Sequence, residues 1–537
     1  MMIRLPQIFP LLFSLTLLGT GPAVAQSSAT GQLTFHDQQS GGTPRKRMVF
    51  REGDPLYANL KLAAPIAASL AELAPDTPKD SLFLRGNFHF TFRVDGEVVY
   101  EEALNAGAGS RTFKEQATDF RMPLSSKLGE DFWSRFMWMR FYYRGGGLLA
   151  LAEGQHELTL EVRPYRYADG KTGQLLARGS VLLDCVRPAV DERQLALSPP
   201  NYDEAFGPGR IPIDTTLVQN LKRRIHQGVF KDITGIAVVR DGQLLLEEYF
   251  NGAAASTLHD TRSVGKTFAG AALGIAIADG HIAGEDLTLG EVYDLRKFDN
   301  YHPAKEDISL RDLLTMSVPL QGSDNDFSSP GNEEYMYPTD DWVKFALDLP
   351  VDATKLERPR WDYFTAGVVV LGDVIHRSVP KGLEAYAEAK LFAPLGIKDY
   401  RWQYTPQRVA NTAGGLQLNL LGLARFGQLY LNGGSWKGES IIPAEWVDKS
   451  LAEQVALPRD TPGGGYGYLF WRQHYRVGEK IYPTAHCSGN GGNKVYVFPE
   501  QHTVIIVTAR AYGRPYGHPQ VDQLMENYLL PAVMKGH

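Results

Sequence analysis

The sequence predicts an α+β protein: an antiparallel sheet flanked by helices, preceded by a β-sandwich domain. Three observations predict it. Apolar residues alternate with a period of two over most of residues 32–186, as in Phe88-His89-Phe90-Thr91-Phe92 and Leu158-Thr159-Leu160-Glu161-Val162, the pattern of half-buried strands. After residue 210 a hairpin pattern stands near each end: Ile236–Arg240 with Gln243–Glu247, and Lys494–Phe498 with Thr503–Val507. Between these hairpins lie long helical patterns such as Ala269–Ala278 and Leu420–Leu431, and strands at both ends with helices between fit a sheet backed by helices.

Taken in order, the chain opens with Arg4, an apolar run from Ile8 to Leu18 and the small-x-small triplet Ala23-Val24-Ala25. That is the form of a cleaved signal peptide over residues 1–25, with the mature chain beginning near Gln26 in the periplasm or outside the cell. The run is short of the roughly 20 apolar residues that span a bilayer, so no stable membrane span is expected after cleavage; an uncleaved anchor is the other reading. Residues 26–197 form the sandwich-like domain, of unknown role. Within it Trp133, Phe136, Met137 and Arg140 share one helix face, read as core packing in preference to an exposed aromatic binding surface. A linker is expected over 198–210, where Ser198-Pro199-Pro200-Asn201 and Gly207-Pro208-Gly209 fall. Residues 211–537 then form the second domain, opening on a hairpin whose Asp241-Gly242 pair suits a type I′ turn.

Composition narrows the function. With 537 residues and a net charge of -6, the chain carries no strong basic field for nucleic acid, and a small-molecule or peptide substrate is the expected partner. Only Cys185 and Cys487 are present; they form no metal-site spacing, and one bridge or two buried thiols both remain open. His156-Glu157 lacks the second histidine of a zinc helix, and no Gly-x-Ser-x-Gly elbow occurs.

The chemistry concentrates at Ser263-Val264-Gly265-Lys266, just before a small-residue apolar run ending at Ala278. Residues three apart share a helix face, so the two side chains can meet. A serine hydroxyl needs a base, and a lysine held among apolar groups can serve as one; the helix N-terminus adds N–H groups where an oxyanion develops. By itself the pattern is weak: Ser378-Val379-Pro380-Lys381 matches too, with Pro380 interrupting the turn that would bring the pair together.

Several segments in order strengthen the first match: Ile236–Gly242, His259-Asp260-Thr261-Arg262-Ser263-Val264-Gly265-Lys266-Thr267-Phe268, Ile308–Ser317 and Arg425–Leu431. Together, over about half the chain, they resemble the serine β-lactamase and penicillin-binding-protein superfamily, in its class C, esterase and 6-aminohexanoate-dimer-hydrolase branch. The resemblance implies Ser263 as nucleophile, Lys266 as base, and a tyrosine that passes a proton to the leaving group. Arg360-Trp361-Asp362-Tyr363-Phe364-Thr365 is similar to that tyrosine segment, making Tyr363 the third catalytic residue and Thr365 a substrate-binding one, with threonine where an amide or serine is the family pattern. Two literal matches compete. Tyr430-Leu431-Asn432 lies on a helical face, where a core tyrosine is the simpler reading; Ser323-Asp324-Asn325 lies in a polar loop that could line the cleft.

The family's third motif lies on a strand, and His486-Cys487-Ser488-Gly489-Asn490 is similar to it, with cysteine in place of lysine and a register open by one residue. The resemblance implies oxyanion donors at the backbone N–H of Ser263 and Asn490, and substrate contacts from His486, Ser488 and Gly489. The expected activity is hydrolysis of an ester or amide through an acyl-enzyme, with no metal or organic cofactor. From another class comes a catalytically silent protein binding cell-wall peptide or a protein partner, which Thr365 and Cys487 favour and the joint presence of Ser263, Lys266 and Tyr363 opposes.

Overall fold

Two turns frame the central sheet. In the computed structural model, which describes residues 31–38, 42–126, 132–202, 204–357, 360–457 and 464–534, Asp241 and Gly242 both take positive φ, 50° and 71°. That is the type I′ geometry whose twist matches paired strands. His502, at φ 47°, closes the hairpin between Asn493–Phe498 and Thr503–Ala509. The expected signal segment, residues 1–25, lies outside the described residues.

The chain divides into two units, Met1–Ala189 and Val190–His537. In the first, a five-stranded sheet runs in the order Arg47–Phe50, Ala177–Cys185, Gly154–Arg166, Gly86–Val94, Glu97–Ala103, and a three-stranded sheet in the order Gln32–His36, Leu56–Lys61, Asp119–Ser125. Phe88 of the larger sheet meets Phe120 of the smaller edge-on at 5.4 Å, so the two sheets share one aromatic core. The helix Trp133–Tyr143 packs on it, with Phe141 stacked on Phe92 at 4.4 Å. Core packing of this helix is as expected, but its buried face is turned: Met137, Trp138, Phe141 and Tyr142 are buried while Phe136 is 45% exposed.

The second unit is built on an eight-stranded sheet in the order Gly465–Tyr466, Trp471–Val477, Lys480–Gly489, Asn493–Phe498, Thr503–Ala509, Ile233–Arg240, Gln243–Tyr249, Gly207–Pro208. Every pairing is antiparallel except the last. Helices cover both faces. On one lie Gly265–Ala278 and Leu420–Leu431, joined by Phe268 stacked on Phe426 at 3.7 Å. On the other lie Thr215–His226, started by Asp214 accepting from the Leu217 N–H, and Gly517–Leu524. The stretch 198–210 belongs to this unit and is tied down: Ser198 N–H donates to Glu248 at 2.8 Å, Asn201 N–H to Glu247 at 2.6 Å, and Gly207–Pro208 pair with Gln243–Leu244. A linker by composition, it is hydrogen-bonded into the unit through its described residues, of which Gly207–Pro208 form a short edge strand. Among the described residues no helix is long and apolar enough to cross a membrane.

Candidate active site

The helix Gly265–Ala278 is apolar nearly all round and buried nearly all round, as such a pattern requires. Ser263 stands in the 3-10 turn Arg262–Val264 that leads into it. Arg262 sits at φ 51°, a left-handed conformation that a long side chain adopts only where the surroundings impose it. Lys266, 2% exposed, directs Nζ to Ser263 Oγ at 2.9 Å and to the Ala413 carbonyl at 2.5 Å.

Tyr363 immediately precedes Phe364, the N-terminal cap of the helix Thr365–Ser378. Lys266 Nζ lies 5.3 Å from the centre of the Tyr363 ring. The ring is stacked on Trp471 at 5.7 Å and meets Trp361 at 6.2 Å. Serine, lysine and tyrosine, expected together, are thus neighbours.

The third-motif segment ends the strand Lys480–Gly489. A Cβ at Gly489 would stand 2.1 Å from the Thr261 carbonyl and 3.3 Å from Ser263 N, so the glycine is what lets this strand reach the nucleophile turn. Cys487, on the same face, accepts from Thr267 Oγ1 at 3.3 Å and is fully buried; burial pushes its thiol up to about 12, which leaves it neutral and inert. Pairing with Trp471–Val477 stops at His486, while Ser488 and Gly489 continue opposite Lys494 and Asn493. Beyond His486 the strand is therefore paired on one side only, among the described residues, and offers an open edge beside Ser263. Asn490 begins the turn that follows; its Oδ1 accepts from Gly513 N–H and its carbonyl from Asn493 Nδ2, both at 3.0 Å. These bonds fix the peptide where the second oxyanion donor is expected.

Two expected substrate contacts are corrected. His486 points to the opposite face of the sheet, because side chains alternate along a strand. It is 3% exposed, packs on Tyr496 at 5.2 Å and meets Lys494 Nζ at 3.2 Å; burial, with Lys494 and His518, pushes its pKa well below the usual histidine range, so it offers no positive charge. Thr365 is fully buried at the first turn of its helix, its N–H donating to Asp324 at 2.7 Å, and belongs to the packing beneath Tyr363. Of the rivals, Tyr430 is a core tyrosine, 2% exposed among Phe426 and Phe470, whereas Ser323, expected in a polar loop, is buried and donates its hydroxyl to Asp362 at 2.5 Å. Cys185 and Cys487 are both free, buried thiols.

Sequence reading missed three contributors. The Ala413 carbonyl comes from Asn411-Thr412-Ala413-Gly414-Gly415, whose glycine pair was its one visible sign. Trp471 has no local signature. Asp324 was hidden inside the literal Ser-Asp-Asn match, which drew notice to the serine. Among the described residues no group of His, Cys, Asp and Glu is placed to hold a metal ion.

Residues 219–526, more than half of the chain, match the model of the Beta-lactamase family. No curated protein matches. Among solved structures, the octameric penicillin-binding protein homologue from Pyrococcus abyssi is 20% identical, with 58% of this chain and 77% of that one covered and a TM-score of 0.45. A D-stereospecific amidohydrolase from Streptomyces sp. is 17% identical, with 57% and 97% covered and a TM-score of 0.44. The D-amino acid amidase from Ochrobactrum anthropi is 14% identical, with 56% and 95% covered and a TM-score of 0.41. The family match embraces Ser263, Lys266, Tyr363 and Gly489 alike, and the chain belongs to the beta-lactamase family of hydrolases.

Proposed function

We propose that this protein is an exported serine hydrolase that cleaves an ester or amide through an acyl-enzyme on Ser263. One observation carries the reading: the 2.9 Å approach of Lys266 Nζ to Ser263 Oγ, made where Tyr363 borders the same lysine. Lys266 takes the Ser263 proton as Oγ bonds to the substrate carbonyl carbon. The oxyanion is received by the backbone N–H groups of Ser263 and Asn490, the kind of preorganised donors that are worth most in a dry site. Tyr363 delivers a proton to the departing alkoxide or amine and is reprotonated from Lys266. Water then attacks the acyl carbon, gives its proton to the same relay, and releases the acid and free Ser263. Every step uses groups of this chain and water.

A fluorophosphonate serine probe followed by peptide mass mapping is expected to label Ser263 alone; label on another serine in its place sinks the assignment. For substrate choice, Cys487 is neutral and His486 faces away, so neither position offers a cation to a substrate carboxylate. A neutral p-nitrophenyl ester should therefore be turned over faster than a carboxylate-bearing chromogenic cephalosporin, and the reverse order overturns that preference. Export rests on Ala23-Val24-Ala25: protein recovered from periplasm or medium should begin near Gln26, and retention of residues 1–25 there contradicts it.

A further inference from the structure

Residues 362–365 are laced to residues 320–324 by a run of bonds that converge on Tyr363. Asp324 donates its backbone N–H to the Tyr363 carbonyl at 2.8 Å. Its carboxylate reaches past that residue: Oδ2 accepts the Thr365 N–H at 2.7 Å, and Oδ1 accepts the Glu333 N–H at 2.9 Å. Beside it Lys355 pairs with Asp362 at 3.1 Å while donating to the carbonyls of Leu320 and Gly322 at 3.0 and 2.9 Å. Asn332 Nδ2 holds the loop itself through the carbonyls of Ser323 and Asp324 at 3.3 and 3.2 Å.

The helix Thr365–Ser378 needs such help. Its N-terminal cap is Phe364, which makes no side-chain cap bond, so the first N–H groups of the helix must find acceptors elsewhere. Asp324 supplies one from another segment, and a carboxylate is the favoured acceptor at a helix N-terminus. The arrangement is costly to keep: burial, then the charge of Glu333, raises the Asp324 carboxyl above the usual range, against the pull of Thr365 and Lys266. A buried acid kept in this way deserves a reason, and the geometry offers one. It grips the chain at the carbonyl of the residue whose phenol must face the leaving group and again two residues on, and a small misplacement of such a group is expensive.

We propose that Asp324 is a positioning residue: by clamping the backbone at Tyr363 and Thr365 it aims the Tyr363 phenol at the leaving group. The inference rests on the reading of Tyr363 as the proton donor to that group.

The test uses the dependence of rate on leaving-group basicity. A donor matters little for p-nitrophenolate, which departs unaided, and greatly for an alkoxide. The full-length protein, Tyr363→Phe, Asp324→Ala, Asp324→Asn and the double variant Asp324→Ala/Tyr363→Phe are compared on acetate esters running from p-nitrophenyl through phenyl to ethyl. Tyr363→Phe is expected to lose little on the first and about 100-fold on the last. Asp324→Ala should show the same trend, with roughly a 30-fold loss on the ethyl ester, and Asp324→Asn, which keeps an acceptor oxygen for the Thr365 N–H, should recover most of it. The double variant should be no more than about threefold worse than Tyr363→Phe, since residues acting as one unit are not additive. A loss equal for every ester, or a double variant losing the product of the two single losses, makes Asp324 merely structural and overturns the proposal. If Asp324→Ala does not fold by circular dichroism, Asp324→Asn decides: a few-fold loss confined to the poor leaving groups supports the role, and no trend removes it. The two readings fail separately. Tyr363→Phe without any trend removes the tyrosine as donor, whereas a trend in Tyr363→Phe and none in the Asp324 variants removes Asp324 alone.

Discussion

The chain writes Ser-x-x-Lys twice, at Ser263 and at Ser378, and the two copies end in different chemistry. Ser263 stands at the entrance of a helix, and Lys266 within its first turn comes back to Ser263 Oγ at 2.9 Å. Ser378 is the last residue of its helix. There the hydroxyl donates to the Val374 carbonyl at 2.8 Å, Val379 is extended at ψ 152°, and Lys381, at φ 64°, is exposed. At a helix entrance the next turn restores the side chain to the same face; at an exit, an extended residue and a proline throw it outward. The letters bring the two side chains together only when the helix runs in the right direction from them.

That contrast can be broken most directly at the serines. Ser263→Ala should lose at least ~1,000-fold in kcat/KM on any ester the protein turns over, as removal of a nucleophile does, whereas Ser378→Ala should be indistinguishable from the parent. Comparable losses in both would mean that helix direction does not separate them. Next come the lysines: Lys266→Met should cost ~100- to 1,000-fold in kcat, the range for a general base, with Lys381→Met unchanged. An intact burst of product in Lys266→Met would place the base elsewhere. The glycines beside each serine sharpen the contrast further. Gly489→Ala drives a methyl into the Thr261 carbonyl next to Ser263 and should lower kcat by tenfold or more. Gly382→Ala, at φ 81° and ψ 174° beyond Ser378 with the His376 ring against the new methyl, should lower stability by about 1–3 kcal/mol and leave kcat alone. Thermal melts and steady-state rates on the same preparations separate the two effects.

Much of this was legible in the sequence because it is periodic or local. The helix Leu420–Leu431 and the Asp241-Gly242 turn lie where their patterns put them, since amphipathic period and left-handed turn residues are written within a few positions. Ser263, Lys266 and Tyr363 were visible as ordered segments similar to a family. What stayed hidden depends on long-range approach. Trp471 stacks on Tyr363 across more than a hundred residues, and Ala413 offers Lys266 only a carbonyl, which every residue possesses. His486 was misplaced for another reason: period two says that neighbours on a strand face apart, but not which of them faces the nucleophile until the partner helix is known. The sandwich unit shows its fold through alternation and yields no site by the same means.

The smallest expected effect on catalysis concerns what holds the Ser263 copy in place. His259, on the short strand that leads to Ser263, is 5% exposed and shares a hydrogen bond at 3.1 Å between its Nδ1 and Thr234 Oγ1. Burial, with Arg510 adding to it, pushes its pKa down to about 4 from 6.5. The unfolded chain therefore binds the proton between pH 6.5 and 4 while the folded one does not, so stability rises with pH across that window and is lost as the pH falls through it. Below about pH 4 both states are protonated and the loss levels off. The difference amounts to at most about 3 kcal/mol. Urea midpoints followed by tryptophan fluorescence at pH 7, 5.5 and 4.5 should fall steeply for the parent and less steeply for His259→Asn, which has no proton to gain. His518, pushed to about 3 by burial and Lys494, leaves part of the slope in both. Equal slopes would show that acid does not reach the Ser263 turn through His259.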